Sequence, residues 1–203
     1  MVGQAVLVRL IGVRIPASQP QSRSSPNLTS PMNTDLLTDL NEHLRLEFRA
    51  AHEYLAMSIW LSAHDLPGFS AWMRQQSTDE LGHANRVIEH LLDRDQAVKL
   101  PAIPEPPTDW PDAVALVAHV LSNEQEVTAS IAALYEAAER AGDRGAQIML
   151  QWFVTEQMEE ESSARALLGR LKLAGSTGLG LLLVDQELAT GNIPGAPAAP
   201  AAQ

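Results

Sequence analysis

The sequence predicts an all-α protein: a four-helix bundle with one long crossover between its second and third helices and a short fifth helix at the end. Three observations lead there. Four long segments repeat apolar residues at spacings of three and four, the period of a helix with one buried face. A proline-rich link separates the second segment from the third. An acid interrupts each apolar stripe near its middle.

The first helix is expected from about Asn33 to Ala63, with Leu37, Leu40, Leu44, Phe48, Ala51 and Leu55 as its stripe. The second spans about Pro67 to Arg94, with Phe69, Trp72, Gln76, Val87 and Leu91 on one side; Pro67 suits a first helical turn. The third starts after Thr108, a candidate N-cap, with Pro111 early in it. Its stripe is Val117, Leu121, Val127, Ile131 and Leu134, and it ends near Gly142. The fourth spans about Asp143 to Ala174, with Met149, Trp152, Phe153, Ser163, Leu167 and Leu171 inward and Gly175 as a natural stop. The fifth runs from about Gly180 to Ala189.

Residues 95–108 contain Pro101, Pro104, Pro106 and Pro107, so this link should be extended. A helix of ~28 residues is ~42 Å long, and ~14 extended residues reach at most ~46 Å. The link can therefore just cross the length of the bundle. The first and last helix pairs, joined by short turns, form antiparallel hairpins, and the second and third helices run parallel.

The bundle and its fifth helix make one domain, residues 32–193. Residues 1–31 carry Arg9, Arg14 and Arg23 and no acid, followed by a Ser- and Pro-rich run. Two readings of them stand: a transit-like targeting segment, or a dispensable extension ahead of a start at Met32. The expected location is the cytoplasm, or an organelle under the first reading. Residues 194–203, rich in Pro and Ala, are expected to be a flexible tail.

With 203 residues the chain can bury a sizeable core. It has no cysteine, which removes disulfides, thiolate metal sites and cysteine nucleophiles together. A metal here must be held by carboxylates and imidazoles. The net charge of −11 argues against nucleic acid as a partner and is compatible with attracting cations. Nothing reaches the ~18 consecutive apolar residues of a membrane span.

The acids in the stripes carry the functional signal. Glu47 lies between Leu44 and Ala51, Glu80 and His83 between Gln76 and Val87, Glu124 between Leu121 and Val127, and Glu156 and Glu160 between Phe153 and Ser163. Side chains three or four residues apart share a helix face, so these groups point inward. Each lies near the middle of its helix, and the midpoints of side-by-side helices of similar length meet at one level. Buried ionised carboxylates are costly unless paired or metal-bound, and the stripes hold no Lys or Arg to neutralise so many. An oxygen-rich set with one His suits iron or manganese better than copper or structural zinc. Glu80-Leu81-Gly82-His83 is the Glu-x-x-His motif of di-iron carboxylate bundles. One such motif, or one acid on an assumed face, arises readily by chance; agreement of four helices in face and height does not. His52, His64, His90 and His119 match no ligand pattern and read as surface or rim residues. The Trp and Met residues at helical spacing read as packing, with Trp152 a candidate neighbour of the site.

Four segments, in order and spacing, resemble the non-haem bacterial ferritins: Leu-Asn-Glu-His-Leu-Arg-Leu-Glu at 40–47, Asp-Glu-Leu-Gly-His at 79–83, Asn-Glu-Gln at 123–125, and Gln-Trp-Phe-Val-Thr-Glu-Gln-Met-Glu-Glu-Glu at 151–161. The late Leu-Ala-Gly, Gly-Leu-Gly and Asp-Gln-Glu-Leu are also similar, so the likeness covers about Met32 to Gly191. It implies the ferritin bundle, with the fifth helix at a four-fold axis of a homo-oligomeric cage of twenty-four subunits. It also implies Fe(II) and O2 as substrates. Glu47 and His83 would hold one iron, Glu124 and Glu160 the other, and Glu80 would bridge, with Fe(III) passing to an oxo-hydroxide mineral in the cavity. Three departures are visible. Bacterioferritins carry a second Glu-x-x-His where this chain has Gln157 and Glu160. They place a haem-ligating Met where it has Leu81, so no haem is expected. Asp79 stands where the family often has Glu.

Tyr54, seven residues after Glu47, faces the core near the metals. It is either a packed phenol bonded to a buried acid or a one-electron donor to O2 reduction. Asp79 and Glu159 each sit next to a layer acid and point about 100° away from it. Asp79 and Glu159 are either solvated wall residues or, with Glu156 one turn away on the inner side, a transit site for iron. Beside the iron store stand a di-iron oxygenase or peroxidase on the same bundle, which usually needs the missing second motif, and a non-catalytic helical assembly protein.

Overall fold

A computed structural model of the chain describes residues 32–175 and 177–191. Its helices are α1 (Thr34–Ala63), α2 (Pro67–Leu92), α3 (Ala113–Ala141), α4 (Arg144–Ala174) and α5 (Leu179–Ala189), and no strand occurs among the described residues. The segments 1–31 and 194–203 lie outside the described residues.

The helix starts follow side-chain chemistry. Asn33 Oδ1 accepts from Asp35 N at 2.8 Å and Leu36 N at 3.2 Å, opening α1. Asp143 Oδ1 accepts from Ala146 N at 3.0 Å, opening α4. The third helix departs from expectation: its cap is Asp112, not Thr108, with Oδ1 accepting from Ala115 N at 2.8 Å. Pro111 therefore precedes the helix. A carboxylate directly ahead of Ala113 satisfies orphan N–H groups that a hydroxyl four residues upstream cannot reach. α2 ends at Leu92, two residues before Arg94, because Asp95 turns left-handed (φ 55°) and Gln96 N closes on Leu91 O at 2.9 Å. Gly142, at φ 66°, ends α3 in the conformation glycine adopts without steric cost.

Hydrogen bonds fix the directions. Ser70 Oγ donates to Ser58 O at 2.8 Å and Ser77 Oγ to Ala51 O at 2.7 Å, so α1 and α2 run antiparallel and close together. Contacts of Glu53 with Asn123 and of His43 with Ser130 make α1 antiparallel to α3 as well, so α2 and α3 are parallel. Residues 96–110 form no helix or strand. This crossover follows α1: Asn41 bonds Ala97 O at 3.2 Å and Lys99 N at 2.6 Å near one end, and Trp60 Nε1 donates to Asp109 Oδ1 at 3.0 Å near the other.

α5 docks on the start of α2. Buried Asp185 Oδ1 accepts from Phe69 N at 2.9 Å. A Cβ at residue 68 would fall 1.8 Å from Asp185 O, so only glycine permits this approach.

The core is divided in two. One apolar cluster holds Met57, Leu61, Phe69, Trp72, Met73, Leu116 and Leu167. The other holds Leu36, Leu40, Leu44, Val87, Leu91, Ile131, Leu150 and Phe153. Between them lies a polar layer. On α1 the line of deepest burial runs through Leu36, Leu40, Leu44, Glu47, Tyr54 and Leu61, while Leu37, Phe48 and Leu55 are half-buried shoulders. Leu121 and Trp152 are half-buried in the same way.

Candidate metal centre

α1 supplies Glu47 and Tyr54, α2 supplies Glu80 and His83, α3 supplies Glu124, and α4 supplies Gln157 and Glu160. Glu47, Glu80 and Glu124 are 0%, 1% and 1% exposed, and His83 is 4% exposed. Ligand-type atoms of Glu47, Glu80 and His83 lie within 4.8 Å of one another, and a second such group joins His83, Glu156 and Glu160. Glu124 belongs to neither group: it accepts hydrogen bonds from the Tyr54 hydroxyl and from Gln157 Nε2, the latter at 3.2 Å. Half-buried Glu160 accepts from Gln76 Nε2 at 2.8 Å. The two rim acids stay apart. Asp79 is half-buried and bonded to Gln75 at 2.9 Å, Glu159 is exposed, and neither joins a ligand group. The Trp152 ring meets His83 edge-on at 5.5 Å, with the Arg86 guanidinium 4.0 Å above it.

The layer holds more negative charge than it can carry. Burial, with Glu124 and Glu47 nearby, pushes Glu80 well above the carboxylate range, although His83 opposes this. Burial also raises Glu124 against the hydrogen bonds from Tyr54 and Gln157. Glu160 rises to about 8 through burial and the charge of Glu124. Glu47 moves the other way. Burial works against its ionisation, but His43 first, and then His83 and Glu80, hold it well below the usual range. His83 is pushed up to about 11, because Glu47 and Glu80 outweigh the effect of its burial. Burial and the neighbouring carboxylates raise the Tyr54 phenol well above its ordinary value.

Two further features fit a cation. Glu80 Oε1 is buried with no hydrogen-bond partner, and neither Glu47 oxygen receives a well-directed hydrogen bond. Carboxylates of this kind either keep protons or exchange them for metal.

Sequence reasoning missed two contributors and one further buried acid. His43 is buried with Nε2 2.6 Å from Glu47 Oε1; its position four residues before Glu47 was the available signal. Gln157, noted only as a departure from bacterioferritins, is 3% exposed and bonds Glu124. Glu53 is buried on the α3 side of α1. There Asn123 Nδ2 donates to it at 2.8 Å, His119 Nε2 lies 3.1 Å away and Arg49 3.7 Å away. Its place between Ala50 and Met57, at spacings of three and four, was the available signal. His119 and His90 are half-buried, whereas His52 and His64 are exposed.

Comparison with known proteins agrees with this geometry. The ferritin-like domain family matches residues 37–174. The chain is 32% identical over 149 residues to a bacterial non-heme ferritin of Bacteroides fragilis, covering 73% of this chain and 92% of that protein. It is 31% identical over 159 residues to the bacterial non-heme ferritin of Escherichia coli O157:H7, covering 78% and 96%. Among solved structures, an open pore ferritin of the hyperthermophilic archaeon Archaeoglobus fulgidus superposes with a TM-score of 0.77 at 36% identity, covering 79% of this chain and 98% of that one. A four-helix bundle with this crossover, this acidic layer and these relatives leads to one conclusion: the chain belongs to the ferritin family, and its relatives include the non-haem bacterial ferritins.

Proposed function

We propose that this chain is an iron-storing ferritin subunit that oxidises Fe(II) with O2 at the mid-bundle centre and deposits Fe(III) oxo-hydroxide inside a homo-oligomeric cage, of twenty-four copies by likeness to the family. The observation that carries this reading is the convergence of Glu47, Glu80 and His83, from two helices, around a buried carboxylate oxygen without a partner. Iron is the substrate. Glu47 and His83 hold one Fe(II), Glu124 and Glu160 the other, and Glu80 spans the two, which keeps both at reacting distance from one O2. Gln157 and Tyr54 orient Glu124 by their hydrogen bonds. The raised Glu80, Glu124 and Glu160 give up protons as the cations arrive, so uptake of Fe(II) releases acid.

Adding Fe(II) in air tests the reading. A store loads far more iron than two ions per chain and retains it as mineral, an oxygenase stops near two, and a scaffold shows no specific oxidation. Replacing Glu80 by Ala should abolish the fast oxidation while the bundle still folds. A Glu80→Ala protein that oxidises Fe(II) at the wild-type rate would overturn the di-iron assignment.

A further inference from the structure

Two of the six histidines are buried, and the centre described above uses only His83. The other, His43, stands one helical turn before Glu47 on the same face of α1. Three helices hold its ring. Nδ1 lies 3.0 Å from Ser130 Oγ on α3. The ring meets Phe153 of α4 edge-on at 5.9 Å. Nε2 lies 2.6 Å from Glu47 Oε1, a contact with both side chains fully buried.

Glu47 thus has two unlike oxygens. Oε1 lies in close ion-pair contact with His43, while Oε2 lies 3.6 Å from His83 Nδ1 on the metal side. A glutamate has three rotatable side-chain bonds. Unless something holds it, a cation must order it on binding, and that cost comes out of the affinity. An imidazole locked by Ser130 and Phe153 removes most of this freedom beforehand. We propose that His43 is a positioning residue of the metal centre: it grips Glu47 through Oε1 and so presents Oε2 to the cation. The inference rests on the reading of Glu47 as a metal ligand. Ser130 has a supporting part, since its hydroxyl fixes the ring that fixes the carboxylate.

Partners of this kind typically govern metal affinity by about 10–100-fold. The test is an anaerobic titration of the full-length, metal-free protein with Co(II), followed by its ligand-field absorption, with far-UV circular dichroism as the check on folding. His43→Leu should bind Co(II) at the centre about 10–100-fold more weakly than wild type. His43→Gln, whose amide N–H can still donate to Glu47, should recover most of that loss. Ser130→Ala keeps the ring, frees its far side, and should lose a smaller factor; it carries the test if His43→Leu does not fold. Two results overturn the proposal: His43→Leu and Ser130→Ala both binding as tightly as wild type or tighter, or His43→Gln, folded, binding as weakly as His43→Leu. If wild type itself takes up no Co(II) at the centre, the metal-site reading falls as well, which separates the two failures.

Discussion

Two buried glutamates of the bundle show opposite ways of keeping a carboxylate in a core. Glu53, between α1 and α3, is surrounded by groups that favour its charge: Asn123 donates to it, and His119 and Arg49 lie beside it. These outweigh burial and lower its pKa. Glu80, in the central layer, has His83 3.3 Å from one oxygen, no partner on the other, several carboxylates for neighbours, and a pKa pushed well up. The Glu53 region is compensated by protein alone, so it serves to brace α1 against α3. In the Glu80 region His83 and His43 stand against a larger number of carboxylates and leave one Glu80 oxygen without a partner, so it is suited to a cation. Burial of an acid is therefore weak as a sign of function, and burial without protein partners is the informative part.

The contrast can be broken most directly by activity. Glu80→Ala should lose the fast Fe(II) oxidation altogether, whereas Glu53→Ala should keep it within a few-fold; stopped-flow absorbance after aerobic Fe(II) addition measures both. Equal losses would mean that the two regions act as one site.

Stability should rank them in reverse. In metal-free protein, Glu53→Ala strands the Asn123 amide and should cost about 1–3 kcal/mol. Glu80→Gln keeps the shape, relieves repulsion from the neighbouring carboxylates and should change stability by less than about 1 kcal/mol. Denaturant titration decides, and a Glu80→Gln protein that loses as much as Glu53→Ala refutes the contrast.

The pH dependence should also differ in sign. A carboxyl raised in the folded state stabilises while protonated; that contribution is complete below its unfolded value and disappears as pH rises through the folded one. For Glu160 the window runs from 4.5 to about 8. Glu53, lowered in the fold, stabilises above its unfolded value and loses that contribution as pH falls through the folded one. Calorimetric melting of metal-free protein should show a decline between pH 4.5 and about 8 that Glu160→Gln flattens and an acid decline that Glu53→Gln flattens. Unchanged slopes in both variants would count against the assignment.

Tyr54→Phe removes the hydroxyl that bonds Glu124 and keeps the ring in the core. If Tyr54 donates an electron to O2 reduction, the transient radical seen by paramagnetic resonance on aerobic iron addition should vanish in this variant; an identical signal rules out the donor role. The smallest effect is expected at the rim. Asp79→Ala should leave the first fast oxidation nearly intact and slow later mineral growth if Asp79, Glu156 and Glu159 pass iron onward. A wild-type growth curve would leave Asp79 a solvated wall residue.

Much of this is legible in the sequence. The five helices, the crossover and the level at which Glu47, Glu80, His83 and Glu124 meet follow from apolar spacing and chain length. Those properties are local: residues three or four apart share a face whatever lies opposite. The tertiary structure decided the rest. Spacing gives relative angles around one helix but not that helix's rotation against its neighbours. Leu36 therefore lies deep while Leu37 is a shoulder, and Glu159 is exposed beside half-buried Glu160. Nor does spacing say which atoms across an interface will meet. That Ser130 holds the ring of His43, that Asn123 and His119 serve Glu53, and that Gln157 reaches Glu124 depend on side chains of separate helices converging within hydrogen-bond distance. Only the packed bundle sets those distances, so the sequence could place acids in the core while the fold alone determined which of them were left without a partner.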